Sequence, residues 1–316
     1  MKTQIKHWLQ ANQLKVEQVI LQAAEKFFNE YHSKANFVYD LNQCEQEALN
    51  LRNGKDLCYD RSTIGLSYSL WYLGRRINTS MNFIVDMIAE GVVEKKPIEI
   101  LDLGAGTGAV QIALGLCLAA IADLGYELPK CNVINIDISP FMLQYNKDYL
   151  SPTLFEIFPT AAKIESKYSV NSWVNTDELS LQTPVIVASY LFDHKENQKE
   201  ITLKFRSFVD KLKPAKIVLI TSNQEPKRRF LDSASALIRK DRSKENSYLY
   251  QNHLIPRAFL FKGNLEKILT FRANKNIQFG TRFSTKWAPQ WDEYSFYGRV
   301  LTKETLSLAL DYEEGR

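Results

Sequence analysis

The chain has 316 residues, of which 45% are hydrophobic and 24% charged, an ordinary globular composition that excludes a disordered, fibrous or collagen-like protein. No apolar run reaches the roughly 18 residues that a membrane span needs, and Met1 leads into Lys2 and Lys6 without an apolar signal-peptide centre. A cytoplasmic location with no membrane partner is expected. The net charge of +4 is local, because residues 201–250 hold 12 Lys/Arg against 5 Asp/Glu and leave the remainder slightly acidic. Lys227, Arg228, Arg229, Arg239, Lys240, Arg242 and Lys244 suit phosphate oxygens, or alternatively form a solvated helix face.

Residues 1–95 carry helical periods. Val16, Val19, Ile20, Ala23, Ala24, Phe27, Phe28 and Tyr31 form one stripe, and Ile77, Met81, Ile84, Val85 and Ile88 another, with Gly91 as the expected stop. From about residue 96 the pattern changes. The runs 98–103, 132–137, 184–189 and 215–221 are short, apolar and separated by helix-length segments, which predicts strands of a parallel sheet in βαβ units. Helical stripes at Val110, Leu114, Cys117 and Ile121 and at Ile201, Phe205, Phe208, Val209 and Leu212 lie between them. Residues 294–301 suit an antiparallel strand paired with 277–284. The stretch 222–276 is too long for a connection and predicts an insertion, with a helix at Phe230, Ala234 and Leu237 and a substrate-facing part at 248–261. The expected division is a helical cap over 1–95 and an α/β domain over 96–316.

The richest segment for chemistry is Asp102-Leu103-Gly104-Ala105-Gly106-Thr107-Gly108, after a strand and before a helix. Glycines here let the backbone turn sharply against a ligand. A second strand ends at Asp137, followed by Ser139-Pro140, a helix N-cap and N1 pair. The spacing is G-x-G-x-G, and Asp137 lies much further on than the ribose acid of a dinucleotide-binding fold. A pyrophosphate ligand is therefore disfavoured.

These two segments resemble the first and second motifs of class I S-adenosylmethionine-dependent methyltransferases. The resemblance implies a doubly wound, seven-stranded, mostly parallel sheet and S-adenosylmethionine as cofactor. By the same resemblance Asp102 lies near the methionine part, Gly104, Ala105, Gly106 and Gly108 line the cofactor, Asp137 accepts the ribose hydroxyls with Ile138 beside it, and Asp177, or else Asn175, meets the adenine amino group. The acceptor is expected beyond the fourth strand, Val187-Ala188-Ser189-Tyr190-Leu191-Phe192-Asp193-His194. Ser189 is expected at the cofactor, Tyr190 as an aromatic wall, and Asp193 and His194 as acid–base candidates. Equally, Asp193 and His194 suit the start of a helix. No Asn-Pro-Pro-Tyr sequence and no cysteine follows the fourth or fifth strand, which disfavours amide or exocyclic-amine acceptors and C5-pyrimidine chemistry.

Tyr72-Leu73-Gly74-Arg75-Arg76 and Val187-Ala188-Ser189-Tyr190-Leu191 are also similar to segments of the methyltransferase-like family associated with the ribosomal small subunit. That family's iron–sulfur cysteines have no counterpart, since no cysteine follows Cys131, and Ser222-Asn223-Gln224-Glu225-Pro226 replaces its Glu-Pro-Gly turn. Cys44, Cys58, Cys117 and Cys131 form no C-x-x-C pair and the four histidines no zinc-ligand pair, so no metal is expected. The acceptor stays open between RNA, a small molecule and a peptide, with Trp287, Trp291, Tyr294, Phe296 and Tyr297 available to enclose an apolar one. A catalytically silent RNA-binding or ribosome-assembly protein on the same fold is the alternative, and the oligomeric state is not legible.

Overall fold

A computed structural model describes residues 1–51, 58–171, 181, 184–191, 198–222, 225–240, 249–255, 274–275 and 296–302. The N-terminal region folds as helices α1 (Lys2–Ala11), α2 (Gln13–Tyr31), α3 (Phe37–Leu51), α4 (Ile64–Tyr68) and α5 (Gly74–Glu94), with one π-helical turn at Ser69–Leu73 joining the last two. The stripe Val16, Val19, Ile20, Ala23, Ala24 and Phe27 is the buried side of α2. Helix α5 runs past the expected stop at Gly91 and closes at Lys95, which takes a left-handed conformation. Gly91 serves packing instead, because a Cβ there would lie 3.0 Å from the Ile98 side chain.

The strands are β1 (Ile98–Leu103), β2 (Cys131–Asp137), β3 (Ile164–Val170), β4 (Val185–Ser189), β5 (Lys216–Ser222), β6 (Leu249–Ile255) and β7 (Phe296–Thr302). Helices α6 (Ala109–Asp123), α7 (Pro140–Tyr145), α8 (Ser151–Ile157), α9 (Gln198–Leu212) and α10 (Glu225–Lys240) lie between them. The parallel block runs β3-β2-β1-β4-β5. Beyond β5 comes β7, antiparallel to it, and then β6, antiparallel to β7. The expected partner of the last strand, 277–284, is therefore corrected. Both neighbours of β7 are β5 and β6, while 277–284 lies outside the described residues. The segment 248–261 also changes role, since Leu249–Ile255 extends the sheet. Helix α10 likewise packs Leu231 and Ala234 against Ile217 and Leu219 of β5, so much of the expected insertion belongs to the α/β layers.

Alternate strand residues face opposite layers, as the two-residue period requires. Ile100, Val133, Val187, Val218 and Ile220 share one cluster with α1, α2, α5 and α6. Leu101, Leu103, Ile134, Ile136, Ile186, Ala188, Ile217 and Leu219 pack with Phe205, Phe208, Val209, Leu231 and Ala234 of α9 and α10. Helix α6 has more than the expected stripe buried: every residue from Val110 to Ile121 is inside, because α1 and α5 cover the side turned from the sheet. The N-terminal helices and one sheet face thus form a continuous core.

Candidate functional site

Strands β1 and β4 are neighbours, with Leu103 opposite Ala188, and chain order runs outward from them in opposite directions. The crevice at their carboxyl ends is a topological switch point, the place where open α/β sheets bind ligands. Segment 104–108 leaves β1 there, 138–139 leaves β2 and Tyr190 leaves β4. The glycine loop and the β4 end approach each other, since a Cβ on Gly104 would be 3.7 Å from the Leu191 side chain.

Gly104, Gly106 and Gly108 have φ of +71°, +54° and +81°, which glycine adopts without the cost other residues meet. The loop is tied to β2. The N–H groups of Gly104 and Ala105 both donate to the Ile136 carbonyl at 2.9 Å. Gly106 N–H donates to Asp137 Oδ2 at 2.7 Å, and Ser139 N–H to Asp137 Oδ1 at 2.8 Å. Asp137 is therefore the brace of the loop, a role the sequence did not announce. Ile138, directly after it, is 58% exposed, as is Val170 at the end of β3.

Asp102 has the opposite environment. It is 1% exposed and its Oδ1 has no hydrogen-bond partner among the described residues. Burial, and secondarily the charge of Asp137, pushes its carboxyl up to about 8, so it is largely neutral at pH 7 and ionises when a cation reaches it. Two carboxyls at adjacent strand ends thus differ, Asp137 accepting from loop amides and Asp102 Oδ1 having no donor among the described residues.

Behind the loop lies a buried polar network. Gln111 Nε2 donates to Ser151 Oγ at 2.9 Å and to Tyr168 Oη at 3.0 Å, while Asn135 Nδ2 donates to Gln111 Oε1 at 2.7 Å. Ser151 Oγ donates to Asn146 Oδ1 at 2.9 Å. A Cβ at Gly108 would fall 2.1 Å from Asn146 Nδ2, so the network and the loop interlock. Sequence reasoning missed these residues, although Gln111 in an apolar helix and Asn135 in an apolar strand were the signal.

At the end of β4, Ser189 is half-buried and Tyr190 is buried. Tyr190 has φ of +63°, rare for a bulky residue and a mark of sites where backbone strain is retained. Its N–H donates to the Ile220 carbonyl at 2.7 Å. The expected wall is covered: Arg76 Cζ of α5 lies 3.0 Å from the centroid of its ring. The N-terminal region reaches the β2 end as well, where Ser139 Oγ donates to the Tyr59 carbonyl at 3.0 Å and caps α7 by accepting from Met142 N–H at 3.3 Å.

Asn175, Asp177, Asp193 and His194 lie outside the described residues, as do Trp287, Trp291 and Tyr294. In the basic segment, Lys204 pairs with Glu200 at 2.7 Å, Arg206 with Asp210 at 3.9 Å and Arg229 with Glu225. Part of its charge is therefore matched by acids one helical turn away. Among the described residues no group of His, Cys, Asp and Glu could hold a metal ion, and no helix is long and apolar enough to cross a membrane.

No family model matches the chain, and no curated protein matches it. Solved structures similar to it include the methyltransferase domain of bacterial CtHen1-CN, at 14% identity and a TM-score of 0.40, covering 72% of this chain and 99% of that one. A human methyltransferase 10 domain containing protein is similar at 6% identity and a TM-score of 0.39, covering 72% and 81%. Precorrin-6y C5,15-methyltransferase from Geobacter metallireducens GS-15 is similar at 13% identity and a TM-score of 0.34, covering 66% and 82%. All three are described as methyltransferases, at likenesses so low that the role of this chain is read from its own residues.

Proposed function

We propose that the protein is an S-adenosylmethionine-dependent methyltransferase, with the cofactor in the switch-point crevice and the acceptor entering from the β4 side. The observation that carries this reading is the pair of buried carboxyls, Asp102 and Asp137, flanking a glycine loop at adjacent strand ends. The residues present fit the cofactor. Asp137 places a carboxylate at the edge of the glycine loop, the acceptor chemistry that a vicinal diol needs, and the buried carboxyl of Asp102, whose Oδ1 has no hydrogen-bond partner among the described residues, suits a positive charge. Ile138 and Val170 offer exposed apolar surface to a planar ring. The parallel block with an antiparallel strand beside β5 agrees with the sheet that the class I resemblance implies.

When bound, S-adenosylmethionine supplies a methyl carbon activated by its sulfonium. The chain's own contribution is mainly position, because holding donor and acceptor in line contributes much of a transfer's acceleration. Gly104, Ala105, Gly106 and Gly108 let the backbone approach, Asp137 fixes the ribose and Asp102 the charged end. Asp177 is assigned to the adenine amino group, Ser189 to the cofactor and Tyr190 to the acceptor side, with Asp193 and His194 as the groups that take a proton from the acceptor. Residues 1–95 act as a cap on the domain over 96–316. The bonds of Tyr59 and Arg76 to the strand ends support that reading.

The acceptor is an RNA, a small molecule or a peptide. The positive excess of 201–250 favours RNA, and the same excess supports the second reading, a silent cofactor fold that holds RNA. Thermal unfolding with S-adenosylhomocysteine tests the first reading. At 100 times its dissociation constant a ligand adds about 2.7 kcal/mol, a rise of several degrees for a chain of this size. NAD should give no rise, and Asp137→Ala should abolish the response to S-adenosylhomocysteine. No shift at millimolar S-adenosylhomocysteine would reject the reading and leave the silent fold.

A further inference from the structure

Two unusual backbone features meet at one side-chain contact. The first is the π-helical turn at Ser69–Leu73 between α4 and α5, a form that occurs mostly as single turns inside α-helices and often at functional sites. In an unbroken α-helix, side chains eight positions apart, as Tyr68 and Arg76 are, lie about 80° apart round the axis. The wider π turn absorbs that drift and lines up Tyr68, Tyr72 and Arg76. Arg76 Nε donates to Tyr68 Oη at 3.2 Å, the Tyr68 and Tyr72 rings are 5.3 Å apart, and Arg76 Cζ is 5.9 Å from the Tyr72 ring. The second feature is the left-handed backbone of Tyr190, which directs its side chain off the end of β4 to the guanidinium of Arg76.

We propose that Arg76 is a positioning residue of the acceptor side: its guanidinium, aligned by the π turn and oriented by Tyr68, fixes the ring of Tyr190 at the mouth of the crevice. This rests on the methyltransferase reading for its functional meaning, but the contact itself is testable without it. A flat guanidinium on an aromatic face contributes both cation–π attraction and stacking, and keeps its in-plane N–H groups for other partners. Lysine retains the charge and loses the plane. The N-terminal helices thereby set the ring that an acceptor must pass.

The experiment places 4-fluorophenylalanine at position 190 of the full chain and follows its single fluorine resonance. Arg76→Ala should move the resonance toward the solvent-exposed value. Arg76→Lys should hold it part-way, and Tyr68→Phe, which keeps the ring and removes only the hydrogen bond, should give a smaller shift in the same direction. Titration with S-adenosylhomocysteine should shift the parent resonance, and Arg76→Ala should at least halve that response while changing the dissociation constant less than two-fold. A resonance and a ligand response unmoved by Arg76→Ala would overturn the proposal. If S-adenosylhomocysteine binds none of the proteins, the cofactor reading falls, and the resonance positions alone then decide whether Arg76 holds the ring.

Discussion

The two sides of the switch point are built by different means. On the β1–β2 side the chain holds itself by local chemistry, with left-handed glycines, backbone amides and a carboxylate accepting from Gly106 and Ser139. On the β4 side the decisive contact comes from far away in sequence, where Arg76 covers Tyr190. A site assembled from amides is stiff and tolerates little change at its glycines. One assembled from a long side chain on a distant helix can be altered without dismantling the sheet.

The largest effect should come from breaking the stiff side. Gly108→Val adds left-handed strain to a clash with Asn146, together about 2–5 kcal/mol, and should show as a large fall in urea midpoint. Gly125 has φ of +78° but nothing within 4 Å of an added Cβ, so Gly125→Ala should cost only the strain, about 1–2 kcal/mol. Equal losses at the two glycines would contradict the interlock of loop and network.

Next in size is Asp137→Ala, which leaves two loop N–H groups without their charged acceptor, at about 2–4 kcal/mol. Denaturant midpoints measure it, and a loss below about 1 kcal/mol would deny Asp137 the bracing role.

Asp102 gives a pH-dependent test with a defined sign. Its folded carboxyl titrates at about 8 against an ordinary value of 3.8, so the folded state holds the proton more tightly than the unfolded state. Stability from this group is greatest below pH 4 and falls as pH rises from 4 to 8. Asp102→Asn should therefore stabilise the fold more at pH 8 than at pH 5, read as a larger rise in thermal midpoint at the higher pH. A midpoint gain independent of pH would mean that Asp102 is not the buried acid. The same logic predicts proton release when a cationic ligand binds, read by calorimetry in buffers of different ionisation heat.

The smallest effect belongs to the surface. Arg229→Ala removes an exposed pair with Glu225 one turn away and should change stability by no more than about 0.5 kcal/mol. Loss of RNA binding without loss of stability would point to the basic segment as a phosphate surface, and unchanged binding would remove Arg229 from it.

Much of this was legible in the chain alone, for physical reasons. The strands 98–103 and 132–137 are read within a residue because a doubly covered strand is apolar at most of its positions, and Ser139-Pro140 marks a helix start because capping favours that pair of residues. Asp102 and the three glycines lie within one short stretch, so the glycine turn that leaves β1 was legible, and its glycines are indeed left-handed. Gly91 misled because close packing against Ile98 and a helix stop call for the same residue.

What only the tertiary structure decided depends on contacts between distant segments. The neighbours of β7 were not legible, since alternation shows that a strand exists but not which edge it joins. The burial of every side of α6 follows from α1 and α5, which no window around 109–123 contains. The division of labour between Asp137, which accepts from loop amides, and Asp102, whose Oδ1 has no donor among the described residues, is set by which loop closes over which strand end. Likewise Arg76 and Tyr190 are ordinary residues in sequence. Their meeting requires a π turn, a left-handed backbone and a sheet that brings β4 beneath α5, and these arise only when the whole chain has packed.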